Sequence, residues 1–171
     1  MVEAETVVTA TSLKISVPRE ELTRQLGVVA RAASTRTTVQ VLAGLLLRAG
    51  EGRLELAATD MEISLRSSLE ATVESEGAVV VPSKLLADLV RLLPADDVSI
   101  EHRSGEGIVE IVSGAATYRL HTYNAEDFPR LPDASSVELM AVDADAVLET
   151  AGRVSRAASR DESRPVLTGI L

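Results

Sequence analysis

Catalysis needs a nucleophile beside a base, a set of metal ligands or a phosphate-binding loop, and the 171 residues offer fragments of each. His102 and His121 are the only histidines and fall on separate expected strands, so neither is placed to activate a neighbour. Asp60 with Glu62, and Glu126 with Asp127, could pair as carboxylates. Both pairs border turns, where acidic side chains commonly cap backbone N–H groups. No third oxygen ligand follows at metal spacing. Gly50 and Gly52, like Gly105 and Gly107, sit in expected hairpins, where turn geometry accounts for them. There is no Gly-x-Ser-x-Gly turn and no loop ending in Gly-Lys-Ser/Thr. With no cysteine, thiolate nucleophiles, thiolate zinc sites and disulfides are excluded. These residues compose no active site, and neither a catalytic role nor a cofactor or metal is expected.

Charge says more. The net charge of -9 by itself argues against a nucleic-acid binder. Its distribution is uneven. Three expected helical windows, 18–34, 83–93 and 143–160, hold eight basic and six acidic residues, and the remainder holds nine basic and twenty acidic. Arg24 and Arg31 are seven residues apart, as are Lys84 and Arg91, so each pair shares a helix face. Arg36 follows in the next loop. Mildly positive helices on a strongly negative protein are one consequence. The other reading is that arginine is simply a good helix former on a solvated face.

The elements that carry these charges follow from hydropathy. The chain is 46% hydrophobic but only 2% aromatic, so its core must be Val, Leu, Ile and Ala. Residues 1–11 read as a polar tail without the features of a signal peptide. Absence of cysteine fits a reducing cytoplasm, and no apolar run approaches the roughly 20 residues of a membrane span. Residues 12–17 alternate as a strand. Pro18 is suited to a first helical turn, and Leu22, Leu26, Val29, Ala30 and Ala33 recur at helical spacing. Strands are expected at 41–47, 53–58 and 61–72. The pattern restarts with a strand at 78–81, Pro82, and a helix with Leu85, Leu86, Leu89, Val90 and Leu93 on its apolar stripe. Strands at 98–102, 108–112 and 116–121 follow. Each half therefore reads as strand, helix, three strands, related by a shift of 64 residues that lays Val17-Pro18 on Val81-Pro82.

A second repeat is stronger. A gapless shift of 125 residues lays 17–46 on 142–171 with eleven identities in thirty positions. These include Gly27/Gly152, Arg31/Arg156 through Ser34/Ser159, and Val41/Val166, Leu42/Leu167, Gly44/Gly169 and Leu46/Leu171. Periods of this kind mark repeat-built folds. The expected organisation is an α+β domain at 12–122, a linker at 123–135 and the start of a second copy at 136–171. The chain reads as the front part of a longer protein.

Four runs resemble the bacterial sliding clamp family, the beta subunit of DNA polymerase III. They are Ala58-Thr59-Asp60-Met61-Glu62-Ile63, Val81-Pro82-Ser83-Lys84-Leu85-Leu86, Asp127-Phe128-Pro129-Arg130-Leu131-Pro132 and Ser163-Arg164-Pro165-Val166-Leu167-Thr168-Gly169-Ile170. The resemblance implies the DNA-clamp fold, with helices on one face and antiparallel sheets on the other. It implies a non-catalytic, cytoplasmic processivity factor whose homodimeric ring encircles double-stranded DNA and binds DNA polymerase III and clamp-loader subunits. By residue, it implies DNA contacts at Arg24, Arg36, Lys84, Arg91 and Arg160, with Asp161 a negative neighbour of the last. It implies partner-peptide binding at Arg164 and Leu167, and a dimer interface at Leu93, Tyr118 and Leu120. The alternative is a repeat-built protein-interaction module without DNA binding.

Overall fold

The computed structural model describes residues 13–35, 37–132, 140–161 and 163–171. The chain divides into two compact units, Met1–Leu131 and Pro132–Leu171.

In the first unit, β1 (Lys14–Pro18) runs directly into α1 (Arg19–Val29), which tightens into a 3-10 turn at Ala30–Ala32. A second 3-10 turn, Gln40–Ala43, leads into β2 (Gly44–Gly50), β3 (Arg53–Thr59), β4 (Ser64–Glu70), β5 (Thr72–Ser75) and β6 (Gly77–Pro82). Then come α2 (Ser83–Arg91), β7 (Asp97–Arg103), β8 (Ile108–Ser113) and β9 (Ala116–His121). Pro18 and Pro82 are each the last strand residue and the helix N-cap, one step earlier than the first helical turn expected from sequence. Their φ angles of -64° and -57° fit that junction without strain. The β2–β3 hairpin turns at Glu51 and Gly52, both left-handed with φ 51° and 71°. This is the backbone twist that two-residue hairpins favour. The Glu51 N–H donates to Glu76 Oε1 at 3.1 Å, which helps hold a non-glycine residue there.

All pairings are antiparallel, in two sheets ordered β5-β1-β7-β8-β9 and β4-β3-β2-β6. The first strand of each half thus pairs with the three-strand meander of the other half. Ile15 lies opposite Ile100 and Val17 opposite Val98, while Val79 lies opposite Leu47 and Val81 opposite Leu45. The α1 helix lies against α2, β3 and β4, and α2 against β2 and β6. Leu22, Leu26 and Val29 of α1 and Leu86 and Val90 of α2 share one core with the inner residues of both sheets. Each such leucine contributes about 1.5–3 kcal/mol of burial.

Several expectations need correction. The apolar run at 41–47 begins as a 3-10 turn, and β2 starts only at Gly44. The strand expected at 61–72 is a turn at Met61, with φ 78°, followed by β4 and then the short edge strand β5. Leu85 is 57% exposed, because the buried face of α2 runs through Ser83, Leu86, Ala87 and Val90 instead. Residues 123–131, read as linker, lie within the first unit. The Tyr123 N–H donates to the Val80 carbonyl at 2.8 Å, and Phe128 is buried with Leu46, Ala57 and Val80. The expected tail at 1–11 lies outside the described residues, as does most of the remaining linker, 133–135.

The second unit holds α3 (Ala144–Val154), capped by Asp143 Oδ1 accepting the Ala146 N–H at 2.8 Å. Apart from this cap, it shares backbone bonds with the first copy. The Ser34 N–H donates to the Leu42 carbonyl and the Ser159 N–H to the Leu167 carbonyl, both at 2.8 Å. The 3-10 turns Ala30–Ala32 and Ser155–Ala157 coincide at the 125-residue shift, and Pro165–Leu167 falls on Gln40–Ala43. Val166, which the shift lays on Val41, thus lies in a 3-10 turn as Val41 does.

Gly44 and Gly27, both repeated in the second copy, should respond oppositely to substitution. A Cβ at Gly44 would overlap Val80 Cγ1 and come within 3.0 Å of the Val41 carbonyl oxygen, whereas one at Gly27 meets nothing within 4 Å. Gly44→Ala should cost about 1–3 kcal/mol in urea unfolding. Gly27→Ala should gain about 0.4–1 kcal/mol by relieving helix entropy. Equal effects of the two would contradict this packing.

Candidate nucleic-acid interface

The surface that α1 and α2 turn away from the core follows from their periodicity. Glu20, Arg24, Val28 and, in the following 3-10 turn, Arg31 are exposed on the first; Lys84, Leu85, Asp88, Arg91 and Leu92 are exposed at the second. Because the helices are neighbours, these residues form one two-helix face carrying four cations and two carboxylates.

The cations are not equally available. Arg24 is clamped by Glu21, with Nε–Oε2 at 3.0 Å and Nη2–Oε1 at 2.6 Å. Gln25 Nε2 also donates to Glu21 Oε1 at 2.7 Å. The Arg24 guanidinium, and then the Gln25 amide, hold the Glu21 carboxyl below the usual carboxylate range. Arg91 lies 3.9 Å from Asp88, an exposed pair worth little. Lys84 and Arg31 make no ion pair among the described residues. Arg36 lies outside the described residues. Lys84, Arg24 and Arg91 therefore share a face as the sequence implied, but Lys84 is the freest of the three. The Glu21 clamp was missed, although its i,i+3 spacing was readable. So were Val28, Leu85 and Leu92, exposed apolar residues among the charges, which hydropathy assigns to a core.

In the second unit, Arg160 and Arg164 are exposed and make no ion pair among the described residues. Asp161, beside Arg160, accepts the Ser163 N–H at 3.0 Å, and the Ser163 side chain and backbone hold its carboxyl low. Leu167 is 50% exposed with its backbone pinned by Arg164 and Ser159. The three residues associated with an interface separate. Leu93 is 4% exposed and belongs to the core, so it offers almost no surface. Tyr118 and Leu120 are half-buried on β9, the edge strand of the five-stranded sheet.

Among the other candidates for chemistry, Asp60 has a structural role. Asp60 Oδ1 accepts the N–H groups of Ile63 at 2.7 Å and Glu62 at 3.0 Å, closing the β3–β4 turn. Those N–H groups, Ile63 first, lower its pKa. His102 and His121 sit on β7 and β9. Among the described residues no group of three His, Asp or Glu side chains is placed to hold a metal, and no helix is long and apolar enough to cross a membrane.

Residues 13–132 match the family described as the DNA polymerase III beta subunit, N-terminal domain. The chain belongs to that family. It is 40% identical to the beta sliding clamp of Streptomyces coelicolor over 92% of this chain and 41% of that protein. It is 36% identical to that of Synechococcus elongatus over 92% of this chain and 42% of that protein. The crystal structure of the DNA polymerase sliding clamp from Bacillus subtilis superposes with a TM-score of 0.88 at 26% identity, covering 92% of this chain and 43% of that one. The chain thus spans about two fifths of the length of these clamps, and its two antiparallel sheets with paired helices are the clamp fold.

The Glu21–Arg24 clamp has a titration signature. A depressed carboxyl contributes stability above its unfolded pKa, about 4.3, and loses it as pH falls through the lower folded value. Carbon-detected titration should place the Glu21 midpoint below that unfolded value in the parent and raise it in Arg24→Ala. A midpoint unmoved by Arg24→Ala would show that the pair is absent in solution.

Proposed function

We propose that this chain contributes its two units to a non-catalytic DNA sliding clamp, a ring-shaped homodimer that encircles double-stranded DNA without reading its sequence. The observation that carries this reading is family membership over 13–132 together with a two-helix face whose cations outnumber its acids on a chain of net charge -9. Cations on the inner wall of a ring attract phosphates, and attraction to a uniform backbone gives no preferred register, so a closed ring can slide. Negative charge elsewhere discourages DNA from binding the outside.

Arg24, Arg36, Lys84 and Arg91 are the proposed DNA contacts in the first unit and Arg160 in the second. Of the described contacts in the first unit Lys84 is the strongest, because, unlike Arg24 and Arg91, it gives up no existing pair. Closure is proposed through Tyr118 and Leu120 at the open edge of β9, where a partner strand could extend the sheet and cover both side chains. Leu93 would act there only by supporting the core behind them. Arg164 and Leu167 are proposed to contact peptides of DNA polymerase III and of clamp-loader subunits. Such tethering in the cytoplasm would make the polymerase processive without bond chemistry in the clamp.

In the complete protein, replacing Arg24, Arg36, Lys84 and Arg91 together by Glu should weaken DNA binding. It should also flatten the plot of log affinity against log salt by about 0.9 per lost phosphate contact. An unchanged slope would remove this face from the interface. Glu21→Gln should do the reverse, strengthening binding by freeing Arg24. No gain there would mean that Arg24 does not face DNA.

A further inference from the structure

The outer face of the four-stranded sheet carries a groove that neither the helix face nor the β9 edge uses. Strand register puts Leu46 opposite Ala57, Arg48 opposite Glu55, and Ala57 opposite Arg66, so these five side chains share the face turned away from the core. The chain returns across this face after β9 and seats Phe128 on Leu46 and Ala57. Between that segment and the strands lies a groove of about 280 Å3, where the half-buried Ala125, Pro129 and Leu131 supply the accessible apolar floor over buried Leu46, Ala57 and Phe128, with Arg48, Arg66 and Arg130 also lining it.

Its charge runs against the rest of the protein. Outside the expected helices the chain has nine basic residues against twenty acidic ones, and three of the nine surround this groove. Of the other strand cations, Lys14 is paired with Glu74 and Arg103 and Arg119 with Glu110, while Arg53 donates only to the Ser68 hydroxyl. Here Glu55 pairs with Arg66 at 3.4 Å, and Arg48 and Arg130 make no ion pair among the described residues. The surplus is two positive charges beside an apolar floor.

We propose that this groove docks a short acidic peptide of a partner protein. The peptide seats one aliphatic side chain on Pro129 and Leu131 and sets carboxylates against Arg48 and Arg130. The volume is below the usual range of small-molecule pockets and suits one or two side chains. Charge-assisted hydrogen bonds to arginine orient carboxylates, while the apolar floor supplies affinity that charge alone does not. Duplex DNA is disfavoured because Glu55 stands in the middle of the row and the floor offers nothing to a phosphate. The proposal does not depend on the DNA-binding role of the helices.

The test uses the complete protein and three blocked peptides, Glu-Glu-Ile-Glu-Glu, Glu-Glu-Ser-Glu-Glu and Lys-Lys-Ile-Lys-Lys, followed by NMR of backbone amides. The first peptide should shift amides of β2, β3 and residues 125–131. Its affinity should fall about tenfold or more with Ser in place of Ile, with the lysine peptide, and in the double variant Arg48→Ala/Arg130→Ala. The remaining amides of that variant should keep their positions, which shows it folded. Shifts elsewhere, equal binding of the Ser peptide, an unaffected double variant, or stronger binding of a short DNA duplex at the same amides would each overturn the proposal.

Discussion

Two antiparallel strand pairs hold the first unit together across its halves, β1 with β7 and β6 with β2. Ile15 and Val17, Val79 and Val81 are buried through these pairs with Ile100, Val98, Leu47 and Leu45. Each crossing strand passes through a single proline into its helix, so setting the strand also sets where the helix starts. The Arg19 N–H adds a second tie, donating to the Asp96 carbonyl at 2.7 Å just ahead of β7. The exchange brings the helices together, because neither half can bury its own strand without the other. The two-helix face is a consequence of that exchange rather than an independent feature.

Charge separation on this fold depends on pairing as much as on composition. On the sheets, Glu110 holds both Arg103 and Arg119 at 2.9 Å, and Lys14 holds Glu74 at 2.6 Å. Such pairs add little stability at an exposed surface, but they cancel local field. On the helix face only Arg24 is firmly paired, which leaves Lys84 and Arg31 to set its sign. The groove lined by Arg48 and Arg130 is one exception on the sheet side.

Much of this could be read from residue order. Leucines at helical spacing located α1 and α2, and the 125-residue identity pattern anticipated a second copy that matches down to the Ser159–Leu167 bond. What escaped was non-local or set by small residues. Leu85 looked like core because hydropathy ranks it above Ser83 and Ala87, yet the closely packed side of α2 admits those smaller side chains. The apolar residues 41–43 looked like strand, but they form a 3-10 turn that leads to Gly44, which lies close against Val80. Which strand pairs with which was invisible, since hydropathy marks a strand as buried without naming its neighbour. Of the residues associated with DNA, partners and closure, Lys84, Arg164, Leu167, Tyr118 and Leu120 were found where a surface role is physically open. Leu93 was not, because its position after α2 turns it inward. The arginine groove could not be read at all. It needs the register of three strands and a segment some sixty residues further on.

Native-state hydrogen exchange tests the strand exchange most directly. If each half is completed only by the other, amides bonded across β1–β7 and across β2–β6 must open together, since loss of either pair exposes the shared core. Both sets should then show the same opening free energy and the same dependence on denaturant. A state in which one pair exchanges through a lower-energy opening while the other stays protected would show two separable halves and contradict this account.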